Sequence, residues 1–164
     1  GLPGKIGPRG PPGLVGPTGE TGVKGQKGEP GETTDNSSSQ RVAFSVTRIS
    51  RPEDSSSHST RLPFEQIVTL LPGTNFDLET GTFACSMPGT YVFMFSLNTY
   101  VNKDLYVHLN KNDDIIVTGR NTATSGHKQV SGGAVLVLQR GDSVYITTYG
   151  GAYSDQDHRI SVSG

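Results

Sequence analysis

Glycine stands at every third position from Gly1 to Gly31 without a miss. Three polyproline-type chains can wind around one another only if every third residue lacks a side chain, because that residue meets the crowded axis. Ten full triplets therefore predict a collagen-like arm over residues 1–31. Pro3, Pro12 and Pro30 occupy the third slot of their triplets, where hydroxylation stabilises a triple helix, and Arg9, Lys24 and Lys27 would point outward from the same slot. At ~3.1 Å per residue the arm would reach about 95 Å. Gly and Pro are concentrated here, with 11 of the 22 Gly and 6 of the 10 Pro. Residues 32–40, ETTDNSSSQ, carry no apolar anchor and predict a flexible polar linker. Within it Asn36-Ser37-Ser38 is a candidate N-glycosylation acceptor.

The remaining stretch, 41–164, has the composition of one globular domain and the length to bury a core. The arm carries a net charge of +2 (Lys5, Arg9, Lys24 and Lys27 against Glu20 and Glu29); the rest carries 10 basic and 13 acidic residues, a net −3. No basic patch suits a phosphate backbone, so nucleic acid is not an expected partner. No stretch reaches the roughly 18 apolar residues that a membrane-spanning helix needs. With neither an initiator Met nor a signal peptide, the chain reads as a mature or shortened product.

Hydrophobic alternation in the globular part has period two. Val42, Phe44 and Val46 share one face; so do Tyr91, Phe93, Phe95 and Leu97; so do Leu105, Val107 and Leu109; Val144 and Ile146 form a shorter pair. AVLVL, residues 134–138, is apolar on both faces and predicts a central strand. No 3.6-residue period is sustained. Period-two runs broken by Gly, Pro, Asn and Asp predict an all-β sandwich of the jelly-roll kind. A three-chain arm gives three such heads a reason to pack around one axis, and a cyclic trimer closes without an open edge.

Phe76, six residues, Phe83, five residues, then Gly89-x-Tyr91-x-Phe93-x-Phe95 is similar to the signature of the C1q family. Gly141-Asp142-x-Val144 resembles the family's late turn into a strand, and YSDQDHRISVSG, residues 153–164, resembles the acidic loop and final strand of adiponectin-like heads. The resemblance implies a head with the jelly roll of tumour necrosis factor, assembled as a trimer. Leu70 and Val162 depart from the family pattern, as does the spacing from Phe64 to Phe76; the family also continues past the position of Gly164 with a short apolar run. Either the sequence is truncated or the last strand is shortened, and truncation is the expected reading because loss of a central strand would expose core.

Asp155 and Asp157 are candidate calcium ligands: the resemblance implies a calcium loop near a trimer axis, and hard oxygens two residues apart suit that ion. Tyr153 and Gln156 are weaker contributors, and His158 and Arg159 would instead pair with the carboxylates. Phe76, Phe83, Tyr91, Phe93 and Phe95 are core and trimer aromatics by their alternation. Arg140-Gly141-Asp142-Ser143 spells an integrin-type tetrapeptide, but Gly-Asp before SVYI is what a tight turn into a strand needs. Cys85, the only cysteine, is expected as a buried thiol. His58, His108 and His127 lack metal-ligand spacing and read as surface residues. No nucleophile elbow or phosphate loop supports an enzyme.

The expected function is that of a secreted, extracellular and non-enzymatic trimer. What the resemblance implies is multivalent binding of carbohydrate, microbial or charged surfaces, innate-immune or complement-like. The alternatives are a soluble ligand for a cell-surface receptor, as adiponectin and cerebellin are, and a matrix protein resembling short-chain collagens. Expected partners are further copies of the chain, larger arrays through the stalk, and an extracellular glycan, microbial surface or receptor. No residue singles out the ligand. The loops 51–60, 110–114 and 122–127 are the candidate contact segments.

Overall fold

The computed structural model of the chain describes residues 1–26, 28, 41–52, 55–157 and 159–164, without the side chains of 55–57. The linker, Asn36 and His158 lie outside the described residues. Two compact units divide the chain, Gly1–Ser37 and Ser38–Gly164. The described part of the first is exposed and contains neither helix nor strand. Nothing lies within 4 Å of where a Cβ would stand at the glycines from Gly1 to Gly28. In a collagen triple helix the crowding that demands glycine comes from two further chains.

In the second unit the described residues form twelve strands and no helix. These are β1 (Phe44–Arg48), β2 (Ser55–Arg61), β3 (Gln66–Leu70), β4 (Asn75–Asp77), β5 (Thr82–Ala84), β6 (Gly89–Thr99), β7 (Asp104–Lys111), β8 (Asp114–Thr122), β9 (Gln129–Leu138), β10 (Ser143–Gly150), β11 (Ala152–Tyr153) and β12 (Ile160–Ser163). They make two antiparallel sheets. In the first, β6 pairs with β9 along one edge and with β11 and β12 along the other, and β1 and β3 follow beyond β12. In the second the order is β4-β5-β10-β7-β8, with β2 also on β10. Two antiparallel sheets face to face with period-two burial make the jelly-roll sandwich.

The alternation sorts the core. Phe93, Phe95 and Leu97 of β6, Leu105, Val107 and Leu109 of β7, and Val144 and Ile146 of β10 are buried. Phe83 is buried too, while Phe76 and Tyr91 are half-buried and pack against the same cluster. Phe44 meets Phe76 at a centroid distance of 4.5 Å, and Phe83 meets Phe93 at 5.7 Å and Tyr91 at 5.4 Å. Cys85 is a buried free thiol; it donates to the Met87 carbonyl at 3.0 Å, which also accepts from the Tyr91 hydroxyl at 2.6 Å. Burial pushes the Tyr91 phenol above its ordinary pKa, with the hydrogen bond to Cys85 adding to it.

Three readings of the sequence need correction. The apolar run 134–138 belongs to β9, which pairs only with β6 among the described strands and is an edge rather than a centre. Its second apolar face points outward: Leu136 and Leu138 are buried, Val135 and Val137 exposed. Of the segment 51–60, expected as loop, residues 55–60 belong to strand β2, which has no apolar alternation because it is a polar rim on β10. Of 110–114 only Asn112 and Asp113 lie outside strands, and Asn112 takes the left-handed φ of 53° that a tight hairpin needs. The short β12 is central, lying between β6 and β1.

Gly150 is a position where a side chain is not tolerated. Its φ is +98°, and a Cβ would run into the Asp104 carbonyl oxygen. Gly150→Ala is expected to cost about 2–4 kcal/mol from backbone strain plus the clash. A urea titration followed by circular dichroism measures it; an unchanged midpoint would contradict this account.

Candidate functional site

Four loops meet around one row of stacked side chains. Arg51 comes from the β1–β2 connection, Tyr100 from β6–β7, His127 from β8–β9, and Tyr153 from the end of β11. The Arg51 guanidinium lies 4.1 Å from the Tyr100 ring centroid. Tyr100 meets Tyr153 at 5.7 Å, and His127 stacks on Tyr153 at 3.9 Å with the planes 11° apart. Arg51 is exposed, and Tyr100, His127 and Tyr153 are half-buried.

Buried polar groups pin these loops. Thr99 is fully buried; its N–H donates to the Lys128 carbonyl at 2.7 Å, and its carbonyl lies 3.1 Å from His127 Nδ1. Only a donor can bond a carbonyl, so His127 carries its proton on Nδ1 in this arrangement. Ser154, buried, donates its hydroxyl to the Ser50 carbonyl at 2.6 Å, and Tyr100 N–H donates to the Gly151 carbonyl at 2.8 Å. Unpaired, these groups would each cost about 1–3 kcal/mol, so the loops are held as a set.

Asp155 closes the row. Its Oδ2 accepts from the Tyr153 hydroxyl at 2.7 Å and its Oδ1 from the Asp157 N–H at 2.9 Å. That hydrogen bond to the carboxylate, then burial, raises the Tyr153 pKa above its ordinary value, so the group stays a phenol. Asp157 and Gln156 are exposed. Calcium takes six to eight oxygens, and the two carboxylates of one chain do not make that cage. Each Asp155 oxygen accepts a hydrogen bond from within the loop, and among the described residues no three His, Cys, Asp or Glu side chains come together.

Sequence reasoning pointed to Tyr153, Asp155, Asp157 and the segments holding Arg51 and His127, but not to their assembly. It missed Tyr100 and set His127 aside for want of metal spacing. Stacking leaves no such signal. The third candidate segment lies elsewhere, in the turn that joins β7 to β8. There Asp142 of the Arg-Gly-Asp run is spent on its own turn: Oδ2 accepts from Gln139 N–H at 2.8 Å and lies 3.6 Å from Lys111 Nζ, while Oδ1 accepts from Asn112 Nδ2 at 3.1 Å. The backbone bond from Gln139, with the Asn112 and Lys111 contacts, holds the Asp142 carboxyl below the ordinary range. A carboxylate engaged this way is a turn element.

The outward faces of the two sheets differ. On the second sheet Arg61 stacks over Tyr145 at 3.8 Å, Arg120 lies 4.9 Å from the Tyr106 ring centroid, and His108 bonds Thr118. That face is polar. On the first sheet Val92 of β6 stands opposite Val135 of β9, and Thr90 opposite Val137, with Met94 next along β6. Val92, Met94, Val135 and Val137 are 55–65% exposed. Four large apolar side chains on adjacent strands form a contiguous patch of the kind that marks an interaction surface.

The family model of the C1q domain matches residues 43–164. The chain is 33% identical over 114 residues to Caprin-2 of Danio rerio, covering 68% of this chain and 12% of that protein. It is 34% identical over 99 residues to complement C1q tumor necrosis factor-related protein 2 of Mus musculus, covering 59% of this chain and 32% of that one. The chain thus spans a third or less of the length of these two relatives. Among solved structures, the globular domain of zebrafish complement 1qA protein aligns with a TM-score of 0.58 at 24% identity, over 75% of this chain and 94% of that one. Murine APRIL aligns at 0.54 and 11% identity, over 74% and 97%, a likeness of fold alone. With its model matched from β1 through the central β12, the chain belongs to the C1q domain family.

Proposed function

We propose that the chain is a secreted, non-enzymatic recognition protein that works as a trimer and binds carbohydrate, microbial or charged surfaces through its loop cluster. The observation that carries this is the apolar outer face at Val92, Met94, Val135 and Val137. A Gly-every-third arm and an apolar sheet face each call for further copies of the same chain. Three heads on one scaffold convert weak single contacts into strong binding by raising the effective concentration. Arg51, Tyr100, His127, Tyr153 and Asp157 are the proposed contacts, offering flat faces and both signs of charge on a pinned framework.

The test is binding of the arm-plus-head protein to a mixed panel of bacteria and glycans, with calcium and then with chelator. Saturable binding at about micromolar avidity or better is expected, with a loss on removal of the arm. Arg51→Ala with His127→Ala is expected to weaken that binding about tenfold while the oligomeric state is unchanged. Calcium at Asp155 and Asp157 would need ligands from all three copies; binding that survives chelation removes it. A folded trimer that ignores the panel and binds a single cell-surface protein would replace this reading with that of a receptor ligand.

A further inference from the structure

The alternation that builds the core is broken at one place between the two sheets. Phe44 and Val46 of β1 are buried, and Arg48 follows them on the same side; it stands level with Ile160 of β12, which is fully buried. The inward positions of β10 are Val144, Ile146 and Thr148. Opposite Thr148 on β2 is Thr60, on the side that continues to buried Leu62. Three positions that the period assigns to apolar residues thus hold one cation and two hydroxyls. A cavity of about 330 Å³ opens there, lined by Arg48, Thr60 and Thr148 together with Pro52, Leu62 and Pro63.

Two of the polar groups have bonding capacity left over. Arg48 is half-buried and directs its guanidinium at carbonyls: Nε donates to Ser50 at 2.8 Å, Nη1 to Pro63 at 3.1 Å and Nη2 to Arg51 at 3.5 Å. Five N–H groups are available, so two remain, and a carbonyl does not neutralise the charge. Among the described residues Arg48 forms no ion pair; Glu65 gives its carboxylate to the Ile49 and Ser50 amides instead. Thr148 is 6% exposed, and its hydroxyl has no hydrogen-bond partner among the described residues. Every fully enclosed side-chain polar atom there does have one, so this hydroxyl is reached from the cavity. A buried hydroxyl bonded to nothing in its own chain calls for a partner from outside it. Arg61 also borders the cavity, but its guanidinium turns away to Thr82 Oγ1 at 3.0 Å and the Tyr145 ring at 3.8 Å.

We infer that this cavity binds a small hydroxycarboxylate, an acid about the size of one sugar, at a site separate from the stacked loop row. The carboxylate sits against Arg48, whose planar fork matches two oxygens. Hydroxyls of the ligand meet Thr148 and Thr60, since a threonine hydroxyl both donates and accepts. The carbon skeleton lies on Pro52, Leu62 and Pro63. A volume near 330 Å³ is at the lower end of the range for small-molecule pockets and larger than a bare ion needs. A neutral sugar leaves the cation unmatched; a plain fatty acid leaves the hydroxyls unmatched. The Ser50 carbonyl that fixes Arg48 also accepts the Ser154 hydroxyl at 2.6 Å, so the cation is held in place before a ligand arrives.

The experiment titrates D-glucuronate into the full 164-residue chain by calorimetry at about pH 7, where the acid is ionised. Saturable binding is expected with a Kd on the order of 0.1–1 mM, and excess ligand is expected to raise Tm by about 2–5 °C. D-glucose, which lacks the charge, and acetate, which lacks the hydroxyls, are expected to bind at least about tenfold more weakly. Thr148→Val keeps the shape and removes a hydroxyl that the free chain leaves unbonded. It is expected to weaken glucuronate binding about 3- to 10-fold without lowering the Tm of the free protein. Arg48→Lys, which keeps the charge but not the fork, is expected to weaken it about tenfold; where that variant unfolds, Thr148→Val decides. Absence of saturable binding to about 10 mM, equal binding of D-glucose, or indifference to a folded Thr148→Val would each overturn the inference, the last by placing the acid at another site such as the loop row.

Discussion

Val92→Asp combined with Val135→Asp is expected to release the heads as monomers. The two residues face each other across β6 and β9 on the outward side of the sheet. In a single chain both are more than half exposed, so the substitutions cost the monomer little beyond the cross-strand repulsion of like charges, about 0.2–1 kcal/mol. In an assembly that covers this face, each copy would bury two carboxylates without partners, and the effective penalty is several kcal/mol per ion. Light scattering should then show one-third of the parent mass, with the far-UV spectrum unchanged. Multivalent binding should fall by roughly 10²- to 10⁴-fold as avidity is lost. A trimer of unaltered mass and avidity would show that another surface holds the copies together, and Val135→Asp alone gives the milder version of the same comparison.

Phe93→Ala is expected to remove most of the head's stability. Phe93 is 1% exposed, next in sequence to residues that are more than half exposed. Its ring lies 5.7 Å from Phe83, 6.2 Å from Phe44 and 6.2 Å from Tyr91. Truncating a buried Phe costs about 3–5 kcal/mol, because the cavity adds to the lost transfer energy. Against a total of about 5–15 kcal/mol for a domain, that is a large share. Urea unfolding at fixed protomer concentration measures it, since association would otherwise shift the midpoint. Val92→Ala, one residue away on the opposite face, is expected to change the monomer by about 0.5 kcal/mol or less. Equal losses at the two positions would mean that the assignment of faces is wrong.

The core was legible because a half-buried strand advertises its buried face. Phe93, Phe95 and Leu97 alternate with less buried neighbours, as do Leu105, Val107 and Leu109. The same signal misled at 134–138. Val135 and Val137 look like core residues to a pattern reader, because a side chain suited to a partner has the same chemistry as one suited to the interior. β2 was invisible for the opposite reason: its sequence, SSSHSTR, gives the pattern nothing apolar to alternate. At the loop cluster, the carboxylates and Tyr153 are close enough in sequence to suggest a site. Arg51, Tyr100 and His127 reach it only through tertiary stacking, which no spacing rule encodes.

The eleven residues of β6 carry a reading frame of a physical kind. One parity, Phe93, Phe95 and Leu97, belongs to the interior, and the other, Val92 and Met94, to the outside; the far end leads through Thr99 into Tyr100. Because side chains alternate with period two, one residue inserted near Tyr91 would exchange the two populations over part of the strand. Phenylalanines would emerge at the surface and the outward patch would turn inward, although not one residue downstream had been replaced. A change in residue count is therefore expected to be tolerated in connections such as 123–128, where it leaves the parity of the flanking strands intact.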